Sequence, residues 1–353
     1  MKKFIIFITA LTLASCNKEE SEEFNRQSML TNYYANVIAV NVEDYESSLN
    51  ILKSSTGAFT SSPSTSTLAT LRADFITAYK SYQGIKMINF GPTADNFYCN
   101  HANIYPTDTS VINGNISSGT YTLGAASNTD AIGFPAIDYL IYNGSDTEII
   151  DAFTSDANAA NRITYLNEIV DKLQSEFIPV KQDWATYQQT FISATGTDVG
   201  GSTGIMFNAY IMDIELLKNA KIGIPSGQQT GGMLLPDYVE GYYGDLSFEL
   251  AIASVNELKF LFNGAEGLGL DDYIKHVEGE SITESLADRI NAQFDLISTD
   301  LSSYSNSLSE AVVSNTSDVN ATYFETKKLV TNIKTDAASL LGILITYTDS
   351  DGD

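Results

Sequence analysis

Beyond its first residues, the chain offers two histidines, one cysteine and a scatter of carboxylates for chemistry, and their spacing limits what that chemistry can be. A mononuclear zinc hydrolase needs several protein ligands and a positioned base. The His-Glu-x-x-His segment that would supply them does not occur. His101 lies in a long loop near Cys99 and Tyr105, His276 follows Lys275 outside any ligand spacing, and both read as loop or surface residues. Cys99-Asn100-His101 places a thiol near an imidazole in sequence, but a nucleophile needs its base within reach in space. A free buried cysteine is the simpler reading. Asp349-Ser350-Asp351-Gly352-Asp353 has the look of a calcium loop without the later bidentate Glu, so an EF-hand is excluded while weak cation binding by the tail stays open. Gly200-Gly201-Ser202-Thr203-Gly204 lacks the lysine of a phosphate loop and reads as a turn between domains.

The N-terminus carries an address. Met1-Lys2-Lys3, an apolar run from Phe4 to Leu13 and small residues form a secretory signal, too short to span a bilayer, which takes about 20 apolar residues. Leu13-Ala14-Ser15-Cys16 resembles a bacterial lipobox, which makes 1–15 a signal peptide and Cys16 the lipidated first residue of the mature chain, held to the membrane by that anchor. The acidic stretch after it, with Lys18-Glu19-Glu20 at its head, has too little apolar surface to fold and makes 16–28 a solvated tether. It also resembles the lipoprotein surface-export signal of Bacteroidetes. The expected location is the outer membrane, exposed at the cell surface, with a periplasm-facing protein as the alternative.

Loss of the signal leaves 17 basic side chains against 44 acidic, a formal charge of −27, which repels phosphate backbones and excludes nucleic acid as a partner. With Cys16 lipidated, Cys99 has no intramolecular partner, and stability must come from core packing.

The elements that must position any site read as helices. Leu71, Phe75, Tyr79, Tyr82 and Ile85 recur at threes and fours, and Ile163, Leu166, Ile169, Leu173, Phe177, Val180, Trp184, Tyr187 and Phe191 extend that rhythm over a long helix, with Pro179 expected to kink it. Ser281-Ile282-Thr283-Glu284 predicts a capping box opening a helix through Leu286, Ile290, Phe294, Ile297 and Leu301. Further helices are expected near Leu30–Leu52, Ile205–Lys221, Leu246–Phe262 and Tyr323–Tyr347. Nothing comparable alternates at period two. The fold class is all-α, built from helix bundles, with 29–195 and 196–353 as the two domains and the Gly-rich stretch Gly196–Gly204 dividing them. Residues 91–131 and 221–232 read as two long irregular segments, the second leading into Pro236–Tyr243.

Several blocks in order carry a resemblance: Arg72 in its helix, Phe90-Gly91-Pro92, Tyr105-Pro106-Thr107-Asp108, Gly133–Leu140, Lys218–Gly227, Glu240-Gly241-Tyr242-Tyr243 and the terminal Tyr347–Asp353. Together they resemble the imelysin-like family of bacterial envelope proteins, once grouped as a peptidase family and linked to iron uptake. The resemblance implies two four-helix-bundle-like halves packed around a domain interface that forms the site. It also implies iron, haem or another cation as possible ligand, no certain cofactor, and an outer-membrane receptor of an iron-uptake system as possible partner. The implied interface residues are Arg72, Asp130, Gly133, Pro135, Asp138, Glu240 and Tyr243, and Arg72, Asp138 and Glu240 are expected to converge.

The chain departs from the family's Gly-x-His-x-x-Glu motif. Gly133 keeps the glycine, while Pro135 stands in place of the His and Asp138 in place of the Glu. Proline has no donor atom, which removes a metal-binding nitrogen, and Pro135 suits the first turn of a helix. The expected function is a non-catalytic binding lipoprotein in iron or haem acquisition. A metallopeptidase and an interaction module without a small-molecule site are the alternatives.

Overall fold

Phe75, Tyr79, Tyr82 and Lys86 share one helical face, and that face lies at the centre of the molecule. In the computed structural model, which describes residues 23–346, no strand occurs among the described residues. Among those residues no helix is long and apolar enough to cross a membrane. The signal segment, Cys16, Lys18-Glu19-Glu20 and the tail from Tyr347 lie outside the described residues.

The chain opens with α1 (Arg26–Tyr33), a π turn (Tyr34–Ile38) and α2 (Ala39–Ser61), which continue one another. Ser64 then caps α3 (Thr65–Met87) in a reciprocal box with Thr67. Residues 91–131, expected to be irregular, contain α4 (Pro92–Asp95), α5 (Cys99–Ala102) and α6 (Thr109–Ser118). Asp108 caps α6, accepting from Ser110 N at 2.8 Å and Val111 N at 3.0 Å, and Gly119 ends it in the left-handed region. After α7 (Gly133–Tyr142) and α8 (Asp146–Thr154), α9 (Ala159–Ser193) runs 35 residues, unbroken through Pro179.

The second part begins with α10 (Ser202–Leu216), extended by a π turn (Leu217–Gly223). It continues with α11 (Ser247–Phe262), α12 (Leu270–Glu278), α13 (Leu286–Ser302), α14 (Leu308–Ser314) and α15 (Thr316–Val330). A π turn (Thr331–Ala337) and α16 (Ala338–Leu341) close the described chain, so the expected helix to Tyr347 stops earlier, at the left-handed Gly342. The expected capping box at Ser281 does not form. Ser285 caps α13 instead, because Glu278 at the end of α12 accepts from Ser285 Oγ at 2.6 Å and Leu286 N at 2.9 Å.

Helices α3 and α9 both pack on α2, while α11 lies against α3, so α3 joins the early and late parts of the chain. One apolar core runs through both. Around α3 it becomes a tyrosine and phenylalanine cluster, with Phe134 stacked on Tyr79 at 4.5 Å and Tyr45 and Tyr98 sharing a 2.6 Å hydroxyl hydrogen bond. Each such ring buries enough apolar surface for about 1.5–3 kcal/mol, which fixes α7 firmly against α3.

Candidate functional site

The start of α7 is set by a backbone constraint. Gly133 has φ +74°, and a Cβ there would fall 2.3 Å from the Ala102 carbonyl oxygen, so only glycine lets α7 begin this close to α5. Phe134 then enters the aromatic cluster, and Pro135 takes the first turn, as expected. Asp138, three residues beyond Pro135, shares its face, and both look into a cavity of about 510 Å³.

The other wall of that cavity is the 237–243 segment. Tyr105, Tyr242 and Tyr243 give it an aromatic lining, and Asp237 lies at its edge. Asp138 is 1% exposed; Tyr243 N donates to its Oδ2 at 2.9 Å, while buried Oδ1 lies beside Gly244, whose amide approaches without the alignment of a hydrogen bond. Burial pushes its pKa up to about 7, against the Tyr243 and Gly244 amides and with a further push from Asp245.

A second cavity, of about 320 Å³, lies behind the same segment. Successive residues alternate between the two: Val239 and Gly241 face the first, Tyr238 and Glu240 the second, and Tyr105 borders both. The second cavity is edged by a buried charge network of which residue order marked only Glu240. Lys221, on the π turn after α10, pairs with Glu240, and Lys86 of α3 pairs with Asp213 of α10. Asn103 donates to Glu240 Oε1 at 2.6 Å, Gln83 donates to the same oxygen at 3.3 Å, and Tyr79 donates to Asn103 Oδ1 at 2.6 Å. Burial would raise the Glu240 pKa, but Lys221, then Lys86 and Asn103, hold it below the usual carboxylate range. Burial also pulls Lys221 down to about 8 against the attraction of Glu240. A further buried pair lies nearby, with Lys218 Nζ 2.7 Å from Glu215 and Lys334 at 3.4 Å.

The spacing held a signal for part of this network: Lys86 continues the face of Phe75, Tyr79 and Tyr82, and Asp213 lies one turn beyond Tyr210 on a buried stripe. Nothing local marks Lys221 or Asn103. A widened turn moves side chains off the face that simple helical spacing gives them, which is why π turns gather at sites.

The expected convergence of Arg72, Asp138 and Glu240 does not occur. Arg72 donates to the Ile141 carbonyl at 2.8 Å and to Asp146 at 2.7 Å and lies over the Tyr142 ring at 4.6 Å, so its charge is answered at the far end of α7. Asp138 and Glu240 face different cavities. Asp130 acts through its backbone, its carbonyl accepting from Asp108 N at 2.8 Å and Thr107 Oγ1 at 2.7 Å. Pro135, Asp138 and Tyr243 do meet around the first cavity, while Gly133 packs on the Ala102 and His101 carbonyls behind the start of α7.

Among the described residues no group of three or more His, Cys, Asp or Glu could hold a metal ion. The carboxylates of the second cavity are already paired with ammonium groups, which a cation would have to displace. Burial pushes the Cys99 thiol up to about 12, despite a hydrogen bond from Tyr82, so it is neither a ready ligand nor a nucleophile. His101 turns away to Glu176 at 3.5 Å, and exposed His276 lies against Phe24. Burial also holds Tyr82 and Tyr105 well above the usual phenol range, so axial ligation of a haem iron by phenolate does not fit either.

Comparison with known proteins gives a consistent picture. The family model described as Imelysin (peptidase M75) matches residues 17–340. Among solved structures, one from Parabacteroides distasonis ATCC 8503, carrying the provisional name of an iron-regulated protein A precursor, superposes with a TM-score of 0.74 at 14% identity, covering 89% of this chain and 95% of its own. An imelysin-like protein from Psychrobacter arcticum 273-4 gives 0.72 at 14% identity, covering 91% and 97%. Comparison with curated proteins gives no match.

Proposed function

The chain belongs to the imelysin family, and from that premise we propose that it is a lipid-anchored envelope protein serving iron acquisition as a non-catalytic binding component. Its ligand on this reading is an organic molecule held at the junction built around residues 237–243, in place of a bare metal ion. The observation that carries the reading is the Lys221–Glu240 pair at the edge of a cavity. Burying two charges costs several kcal/mol each before they attract one another, and a well-packed apolar pair would be at least as stable. A fold that keeps two such pairs beside open volume is best explained by a ligand that uses their hydrogen-bonding capacity.

The same groups are poorly suited to catalysis. A general base works best with a pKa near the working pH, and Glu240 is held below even the ordinary carboxylate range. The iron context comes from the name of the Parabacteroides protein and from the family. Anchorage rests on Cys16, surface exposure on Lys18-Glu19-Glu20, and an outer-membrane receptor is the partner such a location calls for.

The test uses the full-length protein. Purified in detergent, it should not hydrolyse casein with or without zinc, and ferric, ferrous and zinc salts and haem should leave its melting temperature unchanged. In cells, Cys16→Ala should release it from the membrane fraction, and replacing Lys18-Glu19-Glu20 by alanines should reduce its digestion by protease added to intact cells. A chelator-sensitive hydrolysis abolished by Asp138→Ala would overturn the non-catalytic reading, and stoichiometric iron or haem binding would overturn the organic-ligand reading.

A further inference from the structure

We infer that the cavity bounded by Asp138, Asp237, Tyr105, Tyr242 and Tyr243 is a site for a small organic ammonium ion, with Asp138 as its counter-charge. This rests on the reading of the junction as a binding site and names the class of ligand. Three independent features of the cavity agree. Its two ionisable carboxyl side chains, Asp138 and Asp237, are both acidic, and no Lys, Arg or His lines it. Arg72, the cation on the neighbouring helix, is held by Asp146 and the Ile141 carbonyl.

The second feature is the unmet acceptor. Asp138 is almost fully buried and lines the cavity, and its Oδ1 has only the Gly244 amide beside it, too poorly aligned to make a hydrogen bond. A buried acceptor without a partner is costly, and a primary ammonium supplies both the missing N–H and the missing charge. The third is the wall. Three tyrosine rings border the space, and aromatic faces attract an ammonium group while covering its apolar skeleton. Tyr243 is itself braced edge-on by Tyr139 and Tyr242, both at 5.0 Å, which keeps the wall in place.

Binding must be coupled to a proton. The ionisable groups facing Asp138 are Tyr79 from α3, Tyr142 from its own helix, Tyr105 from the segment before α6, Tyr242, Tyr243 and Asp245 from the 237–245 segment and Asp237 across the cavity, none of them basic. With Asp138 titrating at about 7, a cation that requires its carboxylate should bind more tightly as pH rises to 7 and no more tightly above it. Below 7 the affinity should fall by about tenfold per pH unit, with release of a proton on binding.

The experiment is calorimetric titration of the full-length protein with three probes of one carbon skeleton: 3,3-dimethylbutylamine, 3,3-dimethyl-1-butanol and 3,3-dimethylbutyrate. The amine should bind at least about tenfold more tightly than the other two, a preference that one charge-assisted hydrogen bond supplies. Asp138→Asn should remove both the preference and the pH dependence. Asp237→Asn, at an exposed position that cannot disturb folding, should weaken the amine by a few-fold and leave the pH midpoint in place. Equal or tighter binding of the alcohol or the carboxylate would overturn the ammonium assignment while leaving the cavity a binding site. Binding of none of the three would overturn both the assignment and the binding role of this cavity.

Discussion

Lys221 reaches Glu240 at the edge of the second cavity, the one from a π turn and the other from a turn in the 237–245 segment, with both side chains almost completely buried. Removing either partner leaves the other as an uncompensated buried charge. Lys221→Met should therefore cost about 3–5 kcal/mol in urea unfolding. Adding Glu240→Gln should recover part of that loss, because the amide still accepts from Asn103 and no charge remains. Additive losses, with the double variant losing the sum of the two single losses, would show that the pair carries no coupling.

Asp138 sets a dependence of stability on pH. The folded chain holds this proton up to about pH 7, while an unfolded aspartate releases it near 3.8. Between those values the folded state binds more protons, so the contribution of Asp138 falls as pH rises through that window and is flat above 7. Asp138→Asn, which cannot ionise and can still accept from the Tyr243 amide, should be more stable than the natural chain at pH 8, by at most about 4 kcal/mol, and no more stable at pH 4. Melting curves at the two pH values check this, and a variant destabilised at pH 8 would contradict it.

Gly133→Ala should be among the most damaging single changes in the chain. It forces a side chain into the left-handed region and into the Ala102 carbonyl. The backbone strain alone is about 1–3 kcal/mol, before any displacement of α5. Denaturant unfolding measures the loss, and a variant within about 0.5 kcal/mol of the natural chain would show that α7 starts differently in solution.

Arg72 is a positioning residue for the end of α7. Arg72→Ala deprives the Ile141 carbonyl of its donor and Tyr142 of its cation, for a loss of about 1–2 kcal/mol. The half-exposed Asp146 adds little to that figure. Titration of the amine probe should give the same affinity in this variant as in the natural chain. A large drop in affinity at unchanged stability would place Arg72 in the site after all.

Much of this protein was legible in its residue order. Period-3.6 spacing gave α3, α9, α10, α11 and α13, because an apolar face must recur every turn to be buried. Gly133 and Pro135 marked the start of α7 through backbone chemistry that belongs to the residues themselves. What residue order could not show was which charge meets which. Arg72 and Asp138 looked like partners by type, yet the packing of α3 against α7 brings Arg72 to Asp146 and leaves Asp138 facing three tyrosines. Lys86 and Asp213 come from helices far apart in sequence, and Lys221 is aimed by a π turn that no local pattern announces. Helical periodicity is a property of neighbours along the chain, while the pairing of buried charges is settled by the tertiary packing that decides which side chains share a space without water.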